Sequence, residues 1–216
     1  MSLKLYFHPL ASFCQKVLIA LYENETPFTG QLVDLGDEAQ RSAFLKVWPI
    51  GKFPVLHDAA RNELVPESSI IIEYLAQHYP GRVALVPADP DLARQTRLRD
   101  RFYDCYVSEP MQKIVGDRLR PAGKKDEFGV EQARASLRKV YDQIEREIAG
   151  NTWAMGDAFS MADCSSAPAL FYANLVLPIG AEHPNVAAYL KRLLARPSVA
   201  RVMHEAEPYL EHFPTA

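Results

Sequence analysis

The spacing of apolar and polar positions divides this chain into two unlike halves. Residues 3–7 alternate as a short strand, and the loop His8-Pro9-Leu10-Ala11-Ser12 follows. Residues 13–22 predict a helix whose apolar stripe is Val17, Leu18 and Leu21. Residues 29–35 predict a second strand, and 38–47 a short helix ended by Pro49 and Gly51. Residues 54–58 and 63–65 predict a strand pair across the turn Ala60-Arg61-Asn62. Residues 68–78 predict a helix stopped by Tyr79-Pro80-Gly81.

The order is β-α-β-α-β-β-α, the thioredoxin-like order. Its parallel βαβ start followed by a hairpin implies a mixed sheet with helices on both faces. Residues 80–91 carry three prolines and one glycine without helical periodicity, and read as a linker. Beyond them the strand signal disappears. Residues 92–119, 127–149, 162–175, 185–195 and 198–205 all predict helices. The expected organisation is an α/β thioredoxin-like domain over 1–79, a linker over 80–91, and an all-α domain over 92–216.

Composition narrows the class. The chain has 216 residues, enough for one large or two small domains. Its net charge of −3 gives no reason to expect nucleic acid or an anionic membrane as a partner. No apolar run is long enough to span a bilayer, and the N-terminus runs straight into a strand pattern rather than a signal peptide. Cys14, Cys105 and Cys164 are too few and too scattered for a disulfide framework or a zinc site. A cytoplasmic protein with free thiols and no metal is expected.

The densest chemical signal lies in residues 51–69. Pro54, within Gly51-Lys52-Phe53-Pro54-Val55-Leu56, interrupts an apolar run that otherwise reads as a strand. A proline there marks an edge, an end, a bulge or a cis bond. Further on, Glu67-Ser68-Ser69 stands where a helix begins. Ordinary capping explains such residues, but a helix N-terminus also binds carboxylates. A strand edge with free backbone groups beside an anion site suits a small extended peptide. Separately, Ser160 and Asp163 form a capping-box pattern, which we assign to folding.

These features resemble the glutathione S-transferase family, including its bacterial serine- or cysteine-type members, over almost the full length. The resemblance implies that Phe53, before Pro54, pairs its backbone with the cysteinyl part of glutathione. It implies that Glu67 and Ser68 hold the γ-glutamyl end and that Lys52 attracts the glycyl carboxylate. The implied activity is conjugation of the glutathione thiolate to a small hydrophobic electrophile, as in detoxification, by a cytoplasmic homodimer. Glutathione is then a cosubstrate. Trp48 and the charges Arg97, Arg99, Asp100, Arg101 and Asp104 become candidates for the dimer contact, although charges spaced this way are usually a solvated face.

The activating group stays open at this level. Ser12 begins the first predicted helix, where its hydroxyl and the N–H groups of Phe13 and Cys14 are placed to stabilise a thiolate; it also suits a simple N-cap. Many serine-type relatives carry the serine one position earlier, where this chain has Ala11. Cys14 is the rival: a cysteine in a first helical turn has a lowered pKa and would direct the chemistry toward a glutathione-dependent reductase or isomerase. Tyr6 matches the region where tyrosine-type relatives hold their tyrosine. Leu10, Tyr103, Tyr106 and Met111 are candidates for the electrophile pocket. A non-catalytic glutathione-binding or partner protein is the remaining alternative.

Overall fold

The computed structural model describes residues 2–214. The first half runs β1 (Leu3–Phe7), α1 (Ser12–Glu23), β2 (Thr29–Leu32), α2 (Glu38–Val47), β3 (Val55–Asp58), β4 (Glu63–Pro66) and α3 (Ser68–His78). The sheet order is β2-β1-β3-β4, with β1 parallel to β2 and antiparallel to β3. Alternation along β1 decides which helix covers which face. Leu3 and Leu5 enter one core with Val17, Leu18, Leu21, Ile71 and Ile72 of α1 and α3. Tyr6 instead joins Val33, Phe44 and Val55 beneath α2. The result is the expected thioredoxin-like α/β unit.

β2 stops three residues short of its expected end. The Val33 N–H still reaches Phe7 O at 2.9 Å. Asp34 then turns the chain: its N–H donates to Gln40 Oε1 at 3.1 Å, and its carboxylate accepts from Gly36 N–H at 2.8 Å. Side-chain acceptors have replaced the ladder.

The second half is helical: α4 (Pro90–Phe102), a π-helical stretch Tyr103–Ser108, α5 (Glu109–Arg118), α6 (Glu127–Ile148), α7 (Met161–Val176), α8 (Pro184–Ala195) and α9 (Pro197–Ala206). Short 3-10 turns occupy Ala122–Lys124 and Glu207–His212. The single helix expected over 92–119 is therefore three pieces. Glu109 N–H donates to Asp104 O, five residues back, and Pro110 has no N–H with which to resume the α pattern.

α7 is buried nearly all round and forms the axis of this half. The capping box closes at its start. Asp163 accepts from Ser160 N–H at 2.9 Å, the Ser160 hydroxyl at 3.0 Å, Ala154 N–H at 2.8 Å and the Tyr189 hydroxyl at 2.6 Å. One continuous core links α1 and α3 to α7, α8 and α9.

Two buried ion groups join the halves. Lys16, only 1 % exposed, lies 2.6 Å from Asp100 and 2.9 Å from Asp104. Glu23, near the end of α1, takes Arg196 Nε at 2.8 Å and Nη2 at 2.5 Å, and the Ser198 hydroxyl at 2.6 Å. Burial pulls the Glu23 pKa up, but the hydrogen bonds from Arg196 and Ser198 and the Arg196 charge outweigh it and hold the carboxyl below its ordinary value. The pair thus stabilises the fold at neutral pH, and that contribution is lost as pH falls from about 4.5 through the lowered folded value. Arg196→Met is expected to lower the unfolding free energy by roughly 2–3 kcal/mol at pH 7 and by less near pH 3. Urea denaturation at both pH values checks this; an equal loss at both would contradict it.

Candidate functional site

Two adjoining cavities open where the starts of α1, β3 and α3 face the α4–α5 wall. One, of about 300 Å³, is lined by Lys52, Phe53, Pro54, Glu67 and Ser68 and, across from them, by Arg101, Asp104 and Cys105. The other, of about 410 Å³, is more apolar: Leu10, Ser12, Met111, Val115, Tyr172 and Phe213 line it. Phe13, Lys52, Phe53 and Gln112 belong to both.

The first cavity gathers groups that the fold leaves unspent. The Phe53-Pro54 peptide bond is cis. Ladder pairing begins only at Val55, and neither the N–H nor the C=O of Phe53 has a backbone partner among the described residues. Glu67 is the N-cap of α3 but makes no side-chain cap, so ordinary capping does not account for it. Its φ of 70° and ψ of 120° place a non-glycine residue in a region that costs about 1–3 kcal/mol. The Ser68 hydroxyl, on the cavity wall, has no protein partner among the described residues. Ser69 is different: its hydroxyl accepts from Lys16 Nζ at 2.8 Å and donates to Asp100 at 2.6 Å.

The opposite wall corrects a sequence expectation. Asp100 and Asp104 are not on a solvated face but turn inward around Lys16. Asp104 also accepts from the Ser165 hydroxyl at 2.8 Å and pairs with Arg101 at 3.1 Å. Burial raises the Asp100 pKa, and the neighbouring Asp104 charge adds to it against the pull of Lys16.

Ser12 stands on the wall of the second cavity as the first residue of α1; Ala11 is the N-cap. The Ser12 hydroxyl has no protein partner among the described residues, and Ser12 and Phe13 keep free N–H groups at the helix start. Cys14 N–H is spent on Ala11 O at 2.8 Å, so of the two amides expected beside a thiolate only that of Phe13 is free.

The other candidates separate clearly. Leu10 and Met111 line the second cavity. Tyr103 is buried in the core, while Tyr106 is exposed and packs on the Phe102 ring at 5.5 Å; neither lines either of these two cavities. The Tyr6 ring rests 5.9 Å from Phe44, on the α2 side of the sheet, away from Ser12. Cys14 is fully buried, and burial pushes its thiol pKa up, opposite to the lowering expected of a first-turn cysteine. His8 is more than a loop residue: its Nδ1 accepts from Leu10 N–H at 3.2 Å, and its ring stacks on Phe53 at 6.3 Å.

Tyr172 and Phe213 escape a reading of the sequence. Tyr172 sits in a helix buried nearly all round, whose pattern marks no face, and Phe213 follows the last periodic segment. Among the described residues, no cluster of histidine, cysteine and carboxylate side chains could hold a metal, and no helix is long and apolar enough to cross a membrane. Iodoacetamide is expected to label Cys105, which is partly exposed, in the native protein, and Cys14 and Cys164 only after denaturation. Rapid native labelling of Cys14, read by mass spectrometry, would contradict this.

Comparison with known proteins identifies the family of this chain. Residues 5–83 match the model of the glutathione S-transferase N-terminal domain, and 127–192 that of the C-terminal domain. The chain is 30% identical to glutathione S-transferase 3 of Zea mays over 93% of each chain. It is 28% identical to glutathione S-transferase hmp2 of Hypomyces subiculosus, over 95% of this chain and all of that one. Its fold resembles a glutathione-bound glutathione S-transferase from Methylobacillus flagellatus, with a TM-score of 0.84 at 24% identity over 93% of this chain and 98% of that one. It also resembles transferase URE2P8 of Phanerochaete chrysosporium, solved with oxidized glutathione, with a TM-score of 0.86 at 21% identity over 97% of each chain. This chain belongs to the glutathione S-transferase family.

Proposed function

We propose that the protein conjugates glutathione to small apolar electrophiles. The observation that carries this reading is the pair of joined cavities, one rich in unspent polar groups and the other apolar, with Ser12 on the apolar side. In this reading glutathione lies in the first cavity. Its γ-glutamyl carboxylate meets the Ser68 hydroxyl and the start of α3 beside Glu67. Its cysteinyl backbone pairs with Phe53 at the step before Pro54, and its glycyl carboxylate is drawn to Lys52.

The sulfur then points toward Ser12. A free thiol has a pKa of roughly 8.5, and lowering it by two units takes about 2.7 kcal/mol of preferential anion stabilisation. The Ser12 hydroxyl, the free Phe13 N–H and the N-terminal end of α1 together suit that task. The thiol releases its proton to solvent. The thiolate attacks carbon in an electrophile held between Leu10 and Met111, and proximity supplies much of the rate. Cys14, buried with a raised pKa, gives no support to a cysteine-based reductase.

Our proposal keeps two domains, residues 1–79 and 92–216 about the linker 80–91, in a cytoplasmic homodimer acting in detoxification. The exposed apolar residues Ile70 on α3 and Leu98 on α4 support an association surface.

With 1-chloro-2,4-dinitrobenzene as electrophile, Ser12→Ala is expected to lower kcat about 100-fold and to leave glutathione affinity within about threefold. Ser68→Ala should instead weaken glutathione binding by roughly tenfold or more, measured by calorimetry. Full activity in Ser12→Ala, or no glutathione binding by the wild type, would overturn this reading.

A further inference from the structure

We infer that His8 is a positioning residue for the proposed thiolate site: its neutral imidazole pins the loop that carries Ser12, and a proton taken up there releases the loop and shuts turnover down on the acid side. The inference rests on the transferase reading above and adds to it a control of the same site by pH.

His8 follows β1 and lines neither of the two cavities, so it acts through its neighbours. The loop from β1 to α1 is held in several places. Ala11 N–H donates to His8 O at 3.0 Å, and Gln15 Nε2 donates to Pro9 O at 2.8 Å. Ala11 O accepts from Cys14 N–H at 2.8 Å and from Gln15 N–H at 2.9 Å. Backbone and amide groups of this kind do not titrate near neutral pH. The contact at Leu10 is different, because its N–H donates to His8 Nδ1 at 3.2 Å. A backbone N–H only donates, so Nδ1 carries no proton, and the neutral ring keeps its hydrogen on Nε2. The imidazole stands where an asparagine Oδ1 would stand in an Asx turn, accepting from the residue two ahead. The same ring stacks on Phe53, with centroids 6.3 Å apart and planes at 20°. One side chain thus supports both the loop before Ser12 and the residue proposed to pair with the cysteinyl backbone.

Burial, the largest influence, keeps the His8 pKa below its ordinary value of 6.5. Asp34, beyond β2, pulls the other way, while a charged His212 in the C-terminal 3-10 turn adds to the lowering. The Tyr209 ring packs edge-on at 5.3 Å, and Phe53 brings no charge. His8 is therefore neutral at physiological pH and gains its proton only as pH falls below about 6.5. Both ring nitrogens are then donors, and Nδ1–H faces the Leu10 N–H. The contact becomes a repulsion and the Leu10 amide must move. Leu10 lines the second cavity and Ser12 is two residues on, so the electrophile wall and the thiolate donor shift together. A displacement of about 1 Å from productive geometry is enough to cost roughly 100-fold in rate.

The test is the pH profile of kcat with 1-chloro-2,4-dinitrobenzene at saturating glutathione, from about pH 4.5 to about pH 8. In the wild type the acid limb of log kcat should approach a slope of about 2, with one proton on the thiol and one on His8. His8→Asn puts an acceptor that does not titrate where Nδ1 stood, and should keep a slope of about 1. Near neutral pH, His8→Phe, which keeps a ring beside Phe53 but offers no acceptor, should lose kcat about 10-fold. The asparagine should recover most of that loss. The Leu10 amide resonance of the free protein, followed by NMR, should titrate below about 6.5 in the wild type and stay fixed in His8→Asn. A Leu10 amide that does not titrate, equal acid limbs in wild type and His8→Asn, or full kcat in His8→Phe would overturn the assignment. Absence of turnover in the wild type would remove the transferase reading and this role with it. Turnover with a one-proton acid limb in both proteins would remove only this inference.

Discussion

A single buried ammonium sets the geometry of the cleft. Lys16 is fully withdrawn from water, and removing a charge from water is costly unless it is paired and hydrogen-bonded. Here it is met by Asp100, Asp104 and the Ser69 hydroxyl, with Ser165 of α7 completing Asp104. Those partners come from α3, α4, the π-helical stretch and α7, so one interaction fixes four elements against α1. Ser12 is one turn before Lys16 on α1, and Ser68 is the neighbour of Ser69 on α3. The two proposed glutathione contacts are thereby held relative to one another by a charge that neither touches. Arg101, reaching Asp104 from the cavity side, balances the second carboxylate.

Around this rigid knot the polar groups divide into two kinds. Away from the cleft, Asp163 has four donors, and the Asn24 side chain both accepts from and donates to Val83. At the cleft the Phe53 backbone, the Ser68 and Ser12 hydroxyls and the first amides of α1 have no partner among the described residues, and Glu67 holds a costly backbone conformation. Unspent polar groups and a strained backbone gathered at one cleft are what the proposed glutathione site rests on.

Much of this was legible because it is local. Strand alternation at residues 3–7, the stripe of α1 and the proline step at 53–54 each depend on a few neighbouring residues. Glu67-Ser68 was legible as a helix start but not as a strained one, because backbone angles carry no sequence signal there. The α4–α5 wall was misread for a physical reason. The π-helical stretch breaks the 3.6-residue period, so of the pocket candidates there Tyr103 turns into the core and Tyr106 out to solvent, while Met111 lines the second cavity. The spacing of Asp100 and Asp104 looked like a solvated pair because their partner, Lys16, is distant in sequence and sat on a helix read only for its apolar stripe. Tyr172 is hidden for the same reason: its place on the cavity wall and its hydrogen bond from Gln15 arise from tertiary packing.

The central claim is that the start of α1 stabilises a thiolate on glutathione held beside it. Ultraviolet difference absorbance of glutathione with excess protein, titrated from about pH 5 to about pH 9, reads that thiolate directly. The account predicts ionisation well below the ordinary thiol range in the wild type and its loss in Ser12→Ala. A thiolate signal that follows free glutathione at saturating protein would contradict it.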